Sequence, residues 1–517
     1  MSSSPDVLVV GSGLGGLCCG AIAARHGLEV LVLEAHDRPG GAAHGFERRG
    51  FRFESGPSLW GGLGCWPSTN PLAQVLRAVG EQVPVAQYRD WGLMLPEGSL
   101  RIGVGAEPFL EVLRALRGPA VGEEWAAFMV WLEPYCRAAN ALPLLALRPG
   151  LGMAGALGAR GSAALLRHAP RLAALGGAFG PMARRQLRDP FLLHWVEMLS
   201  FLISGLPLDQ TSAAAMASLF GGWFQPDAAL DYPLGGSPAV AEALVRGMRR
   251  HGGELRCGAA VARILVEGGR AVGVELTSGE QLRARRGVVS NASTWDTLAL
   301  LPQDALPRRW YQQTAATPAC ASFLHWHLGL RGDDLHHLPI HHVWVGDWSR
   351  GIGAERNMLV LSMPSLLDPS LAPPGHQVLH GYTPANEPWE LWRDLEPGSA
   401  AYNALKTERC SLFHQVLAQQ IPDLADRIVI ELQGTPLTHQ RYLRVAQGSY
   451  GPAIGADQAP FPAGTTPIEG LLLCGAGVFP GIGVPPVAVS GAMAAHSFVP
   501  VGAHKALLDE LDLRVPG

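Results

Sequence analysis

The first 34 residues restrict the fold more than any other stretch of the chain. Asp6-Val-Leu-Val-Val10 is a short β-branched run with no polar alternation, the pattern of a strand buried on both faces of a parallel sheet. Gly11-Ser12-Gly13-Leu14-Gly15-Gly16 follows at once. Glycines at 11, 13 and 16 permit a tight turn, a close approach of backbone to a pyrophosphate, and close packing of a helix on the strand. Leu17 to His26 is Ala-rich and predicts that helix, with its N-terminal amides and dipole aimed at phosphates. Leu28 to Leu33 reads as a second strand ending at Glu34, 23 residues after Gly11, where a carboxylate can accept hydrogen bonds from ribose hydroxyls. A lone glycine fingerprint is weak. Strand, glycine turn, helix, strand and acid in this order predict an α/β fold with a Rossmann-like dinucleotide unit.

Charge and cysteine usage narrow the function. A net charge of −4 gives no general attraction to nucleic acid, so none is expected as a partner. The eight cysteines are scattered without a Cys-x-x-Cys pair, which reads as reduced thiols rather than a disulfide or zinc framework. With 64 Gly and 41 Pro the chain is loop-rich, but below the share that marks low complexity. Residues 470–504 contain no Asp, Glu, Lys or Arg, yet four prolines and seven glycines interrupt them, so a buried strand, a Gly-rich turn and a buried helix are expected rather than a membrane span. Met1 to Pro5 runs straight into the first strand, leaving no room for a signal or transit peptide, and a cytoplasmic location is expected.

Further motifs carry a family resemblance. Arg38-Pro-Gly40-Gly41 follows the acid where a nicotinamide-binding domain would continue into a crossover helix, and His44 to Phe53 alternates like a hairpin. Tyr232-Pro-Leu-Gly-Gly-Ser237 precedes an amphipathic helix over 240–252, and short strands follow over 254–257, 260–266, 271–276 and 287–291. Later come Ser322-Phe-Leu-His-Trp-His-Leu-Gly329, His341-His-Val-Trp-Val-Gly-Asp-Trp348, Val378-Leu-His-Gly-Tyr-Thr-Pro384, Gly434-Thr-Pro-Leu-Thr-His439 and Phe479-Pro-Gly-Ile-Gly-Val-Pro485. In these motifs the chain resembles the phytoene desaturase and flavin amine-oxidase superfamily and, within it, the carotenoid isomerase (prolycopene cis–trans isomerase) branch.

That resemblance implies FAD as cofactor. It implies a discontinuous FAD-binding domain over 1–70, 231–300 and 465–517, a mixed-sheet substrate domain over 301–464, and a helical, membrane-docking insertion over 71–230. The cofactor residues it implies are Gly11, Ser12, Gly13, Leu14, Gly15, Gly16, Glu34, Ala35, Gly40, Gly41, Ala42, Gly56, Pro57, Ser58, Val261, Gly475, Ala476, Gly483 and Val484. Two departures from the family pattern stand out. Ala476 replaces the usual acid near the ribityl and pyrophosphate, and Glu54-Ser-Gly56 replaces the usual Asp-Val-Gly. Glu54 is the one catalytic candidate, as an ionisable group near the expected flavin.

Three side-chain groupings remain. Residues 134–188 hold eight Arg (137, 148, 160, 167, 171, 184, 185, 188) and no Lys, Asp or Glu, interspersed with leucines that include Leu142, Leu151, Leu165, Leu166, Leu172 and Leu175. Such a segment suits an anionic membrane interface, although Gly161 and Pro170 are expected to break its helix. His325 and His327 would share a strand face and could reach a metal, but no carboxylate or cysteine sits at a matching spacing, and no metal is assigned. Trp344, Trp348, Trp389 and Trp392, with Tyr382, could line an elongated apolar slot. The expected activity is cis-to-trans isomerisation of a membrane-dissolved C40 polyene with reduced flavin and no net redox change, supplied by an electron donor that no motif specifies. A carotenoid or retinoid desaturase or saturase, a xanthophyll-rearranging enzyme, and a non-enzymatic carotenoid-binding protein are the alternatives.

Overall fold

A computed structural model describes residues 4–141, 143–150, 152–225 and 228–513, with backbone alone for residues 154 and 158–160. Leu142 and Leu151 of the basic segment lie outside the described residues, as does the side chain of Arg160.

β1 (Val7–Val10) sits at the centre of a parallel sheet of order β19-β13-β1-β2-β9, with β2 (Val30–Leu33), β9 (Glu254–Arg256), β13 (Gly287–Ser290) and β19 (Leu471–Leu473). Every residue of β1 and β13 is buried, which is why neither alternates. On one face lies α1 (Leu14–Arg25), packed against α9 (Ser237–Arg250) and α15 (Val484–His496). Its small residues answer to that crowding. A Cβ on Gly20 would lie 2.8 Å from both Met248 Sδ and Val32, and one on Gly491 of α15 would run into the Gly15 carbonyl. α2 (Pro71–Ala78), capped by Asn70 on the Leu72 amide, and α16 (Val501–Glu510) complete this core. The antiparallel sheet of β10 (Val261–Glu267), β11 (Arg270–Leu276) and β12 (Gln281–Arg283) covers the other face, Ile264 and Val274 meeting Leu8 and Leu33.

The larger sheet runs β18 (Ile428–Gly434), β14 (His325–Arg331), β17 (His376–Tyr382), β16 (Met358–Ser362), β15 (His341–Val345), β6 (Asp90–Leu95), β7 (Gly98–Gly103). The hairpin of β3 (Gly45–Arg48) and β4 (Phe51–Glu54) packs Phe51 and Phe53 against Val378 of this sheet. β5 (Val85–Tyr88) pairs with β8 (Leu230–Pro233). A helical layer shares the large sheet's core: α3 (Ala106–Arg117), α4 (Pro119–Ala139), α5 (Gly152–Leu175), α6 (Gly180–Gln186), α7 (Pro190–Ser204) and α8 (Ala213–Trp223). The remaining helices are α10 (Thr294–Ala299), α11 (Arg308–Ala315), α12 (Ala400–Leu417), α13 (Leu424–Arg427) and α14 (Pro436–Leu443).

Two expectations need correction. Residues 71–230 are not wholly helical: β6 and β7 form one edge of the large sheet, and Trp91, Leu93, Leu95 and Ile102 enter its core. α5 is also not broken at Gly161 or Pro170 but runs through both. Gly161 is buried where a Cβ would lie 2.6 Å from Leu157, so a residue without a side chain fits. Pro170 and Leu166 are exposed, so the carbonyl that loses its helical partner can be solvated. Among the described residues no helix is long and apolar enough to cross a membrane.

Candidate active site

β1 ends in the turn at Gly11 (φ +92°), and α1 begins after Gly13, which offers no side-chain cap. The first-turn amides therefore keep no acceptor within the helix and open onto a cavity lined by Gly11, Gly13, Leu14 and Gly15. Gly40 and Gly41 fold against this turn. The Gly40 amide donates to the Ser12 carbonyl at 3.0 Å, and a Cβ on Gly41 would lie 2.9 Å from Gly13 Cα. α15 likewise starts after Gly483 with no side-chain cap, at Val484, and both residues line the same cavity. The open α1 N-terminus, with glycines where side chains would fill the cavity, fits the pyrophosphate of a dinucleotide, whereas α15 offers the Val484 amide alone because Pro485 and Pro486 have no N–H.

Glu34 stands at the end of β2 and lines this cavity. Its Oε2 accepts from the Ser12 amide (2.9 Å) and Ser12 Oγ (2.5 Å), and its Oε1 from the His36 amide (2.8 Å). Of the sequence-assigned cofactor residues, all but Ser12 and Gly16 line the cavity. Those two act from behind it: Ser12 orients Glu34, and Gly16 lets helix and turn close, since a Cβ there would run into the Gly11 carbonyl. Ala476 lines the cavity beside Gly475 (φ +100°), whose amide is tied to Ser490 Oγ at 2.8 Å.

Asn291 was not among the assigned residues. It follows β13, lines the cavity, and lies inside the glycine cradle, where its Nδ2 would be 2.6 Å from a Cβ on Gly13 and its Oδ1 2.6 Å from one on Gly15. The only signal for it is the polar residue ending the third parallel strand, which spacing from the fingerprint does not reveal.

Beyond the cradle the same cavity continues into an apolar chamber, for a total of about 1840 Å³. Leu165, Leu172 and Leu175 of α5, Leu202 and Ile203 of α7, Leu219 and Trp223 of α8, and Phe323, Tyr382 and Tyr450 wall it. Ordinary small-molecule pockets measure roughly 300–1,000 Å³, so this volume accommodates a dinucleotide and a second, largely apolar molecule. Tyr382 is there as expected, but Trp344, Trp348, Trp389 and Trp392 do not line it. Trp392 is fully buried and donates to Glu387, which Arg409 also holds, while Trp348 stacks on His194 and donates to Glu97.

Glu54 does not face the cavity. Its Oε1 accepts from the Ser237 amide (2.6 Å) and Ser237 Oγ (2.5 Å), and its Oε2 from the Tyr232 hydroxyl (2.8 Å). Burial raises its carboxyl pKa and these donors oppose the rise. It pins β4 to the start of α9, and its candidacy as a group reaching the flavin is not supported by this geometry. Of the histidines clustered on the large sheet and α14, His325 and His439 line the cavity while His327 and His380 stand behind them; His36 and His44 line its cradle end. Burial pulls the His325 and His380 rings well below the ordinary range, His327 to about 4 and His439 to about 3, so all four are neutral at physiological pH.

The basic segment divides by contact. Arg137 pairs with Glu133, Arg184 with Asp209, and Arg148 turns inward to the Val499 carbonyl. Arg167, Arg171 and Arg185 are exposed and carry no ion pair among the described residues, and Leu166 beside them is 76% exposed. α5 thus walls the chamber with one face and presents arginine and leucine outward with the other.

Residues 9–76 match the model of the NAD(P)-binding Rossmann-like domain, and residues 146–497 that of the flavin containing amine oxidoreductases. The chain is 32% identical over 513 residues to the chloroplastic prolycopene isomerase of Daucus carota, covering 95% of this chain and 79% of that protein. It is 27% identical over 524 residues to a neurosporene-forming phytoene desaturase of Cereibacter sphaeroides, covering 94% and 93%. Among solved structures, an oxidoreductase from Methanosarcina mazei superposes with a TM-score of 0.61 at 19% identity, covering 94% of this chain and 98% of that one.

Proposed function

Because the chain belongs to the flavin-containing amine oxidoreductase family, in the prolycopene isomerase branch of the phytoene desaturase superfamily, we propose that this FAD-dependent enzyme is a carotenoid cis–trans isomerase. At a coarser level the chain is a flavoenzyme of the carotenoid isomerase and desaturase type. The observation that supports the finer reading is one continuous cavity, which joins a glycine cradle to a leucine-walled chamber. When bound, FAD supplies the electron density that a polyene, lacking an acidic proton or a carbonyl, needs for a double bond to gain single-bond character.

This chain's residues then bind and orient. The α1 N-terminus and the glycine cradle hold the pyrophosphate, Glu34 and Ser12 fix the ribose end, the Val484 amide adds one donor, and Asn291 closes the cradle. Phe323, Tyr382 and Tyr450 offer flat apolar surfaces for a rigid conjugated chain and help exclude water. Cis-to-trans conversion needs no proton, in keeping with the neutral histidines and with Glu54 turned away. We read the outer face of α5 as the dock on an anionic bilayer, through which a lipid-dissolved substrate enters past Leu165 and Leu172.

The redox alternative is favoured by the likeness to a phytoene desaturase. Product mass separates the two. Purified holoprotein with chemically reduced flavin, given tetra-cis-lycopene in liposomes without oxygen, is expected to yield isomers of unchanged mass. A product lighter or heavier by two hydrogens would replace the isomerase reading with a desaturase or saturase one.

A further inference from the structure

β14 and β17 are antiparallel neighbours in register, His327 opposite His380 and His325 opposite Tyr382. Alternate residues of a strand share a face, so His325, His327 and His380 converge on one side of the sheet. One ring nitrogen from each lies within 4.8 Å of the others. The His380 ring is 1% exposed, and among the described residues neither of its nitrogens has a hydrogen-bond partner. Burying a polar atom without a partner is costly, and native structures retain such atoms where something satisfies them.

The His327 tautomer follows from its other contact. Nε2 lies 2.8 Å from the Glu54 carbonyl oxygen. That oxygen can only accept, so Nε2 carries the proton and Nδ1 keeps its lone pair. An imidazole held through its second N–H by a backbone carbonyl is the arrangement metal-ligating histidines adopt. Burial already holds the rings in the neutral, ligating form. The rings of His327 and His380 are nearly parallel (4°) at 5.0 Å, and that of His325 is perpendicular to both. A tetrahedral ion with bonds of about 2.05 Å holds its nitrogens roughly 3.3 Å apart, so the three rings must close in on the ion from the 4.8 Å within which their nitrogens now lie.

We propose that His325, His327 and His380 form a three-imidazole site for a borderline divalent transition-metal ion of the zinc and cobalt class, with its open coordination position facing the cavity. His325 and His439 line the cavity on that side, and the unpartnered Nε2 of His439 lies beside it. A donor set of neutral imidazoles without carboxylates disfavours calcium and magnesium and suits zinc, cobalt or iron. The sequence hid the site because His380 lies 53 residues beyond His327 and joins it only through strand pairing.

The test uses untagged, FAD-loaded full-length protein stripped with a chelator and titrated with Co²⁺. Saturation at one ion per chain is expected, with ligand-field absorption to the red of the flavin bands and an X-ray absorption spectrum reporting three imidazoles. His380→Phe is expected to weaken Co²⁺ binding about 100-fold or more while retaining flavin. If that variant does not fold, the wild-type X-ray absorption spectrum decides alone. No stoichiometric binding, fewer than three imidazoles around the ion, or unchanged affinity in a flavin-loaded His380→Phe would overturn the proposal.

Discussion

At Glu34 one carboxylate both receives Ser12 and the His36 amide and faces the space where a ribose would lie. Replacing it with Gln keeps the size and removes the charge. A charge-assisted hydrogen bond contributes roughly 1.5–3 kcal/mol, so Glu34→Gln should weaken FAD by about one to two orders of magnitude in a fluorescence titration of apoprotein. An unchanged dissociation constant would remove Glu34 from the site. Glu54 predicts the reverse pattern. Glu54→Ala leaves Ser237 and Tyr232 buried without their acceptor, and should cost about 2–4 kcal/mol of stability while the folded fraction keeps its turnover within about twofold. A stable but inactive variant would restore a catalytic role. The contrast shows what was legible at this scale. Glu34 was readable because its spacing from Gly11 is fixed by one strand and one helix. Glu54 was misread because sequence proximity to a cofactor motif does not determine which way a side chain points, and in β4 it points into the α9 terminus.

α1, α15 and α16 meet at two buried rings and one half-buried ring. His496 stacks on His504 with centroids 3.5 Å apart, His26 meets His496 edge-on at 5.7 Å, and Arg148 stands nearby. Burial lowers His26 to about 4, His504 to about 4 and His496 well below the ordinary value near 6.5. These groups bind protons in the unfolded chain before they do so in the native one. Their stability contribution is therefore complete above about pH 6.5 and is lost as pH falls toward 4, at roughly 1 kcal/mol per pH unit for each ring. Denaturant unfolding between pH 7 and 4.5 should show this slope, and His496→Phe, which keeps the stack, should reduce it by about one proton. An equal slope in the variant would assign the acid sensitivity elsewhere. α5 carries a second prediction at this scale. Near an anionic surface each arginine contributes about 1 kcal/mol, so Arg167→Gln with Arg171→Gln should weaken flotation with phosphatidylserine liposomes about 30-fold, more at low salt than high. Binding that does not change would show that this face is simply solvated. The arginine-rich, leucine-interspersed composition of α5 was readable, but its continuity as one helix was not, because tolerance of Gly161 and Pro170 depends on which neighbours crowd them.

For the whole molecule, the consequential feature is that two cores share one cavity. The parallel sheet, assembled from three separated parts of the chain, provides the cradle, and the large sheet with its helical layer provides the chamber. The N-terminal unit was legible because its interactions are local. The edge made by β6 and β7 was not, since a hairpin at residues 90–103 pairs with strands some 250 residues away and only the folded chain brings them together. With Glu54 turned into the start of α9, the proposed isomerisation turns on electrons rather than protons. Counting electrons separates the readings: in a sealed anaerobic cell without an acceptor, the flavin's redox state is determined before and after tetra-cis-lycopene is converted. Many turnovers are expected on flavin reduced once at the start, none on oxidised flavin, and no net change in the flavin's redox state. Conversion on oxidised flavin that stops after one turnover, with the flavin bleached, would contradict the isomerase reading.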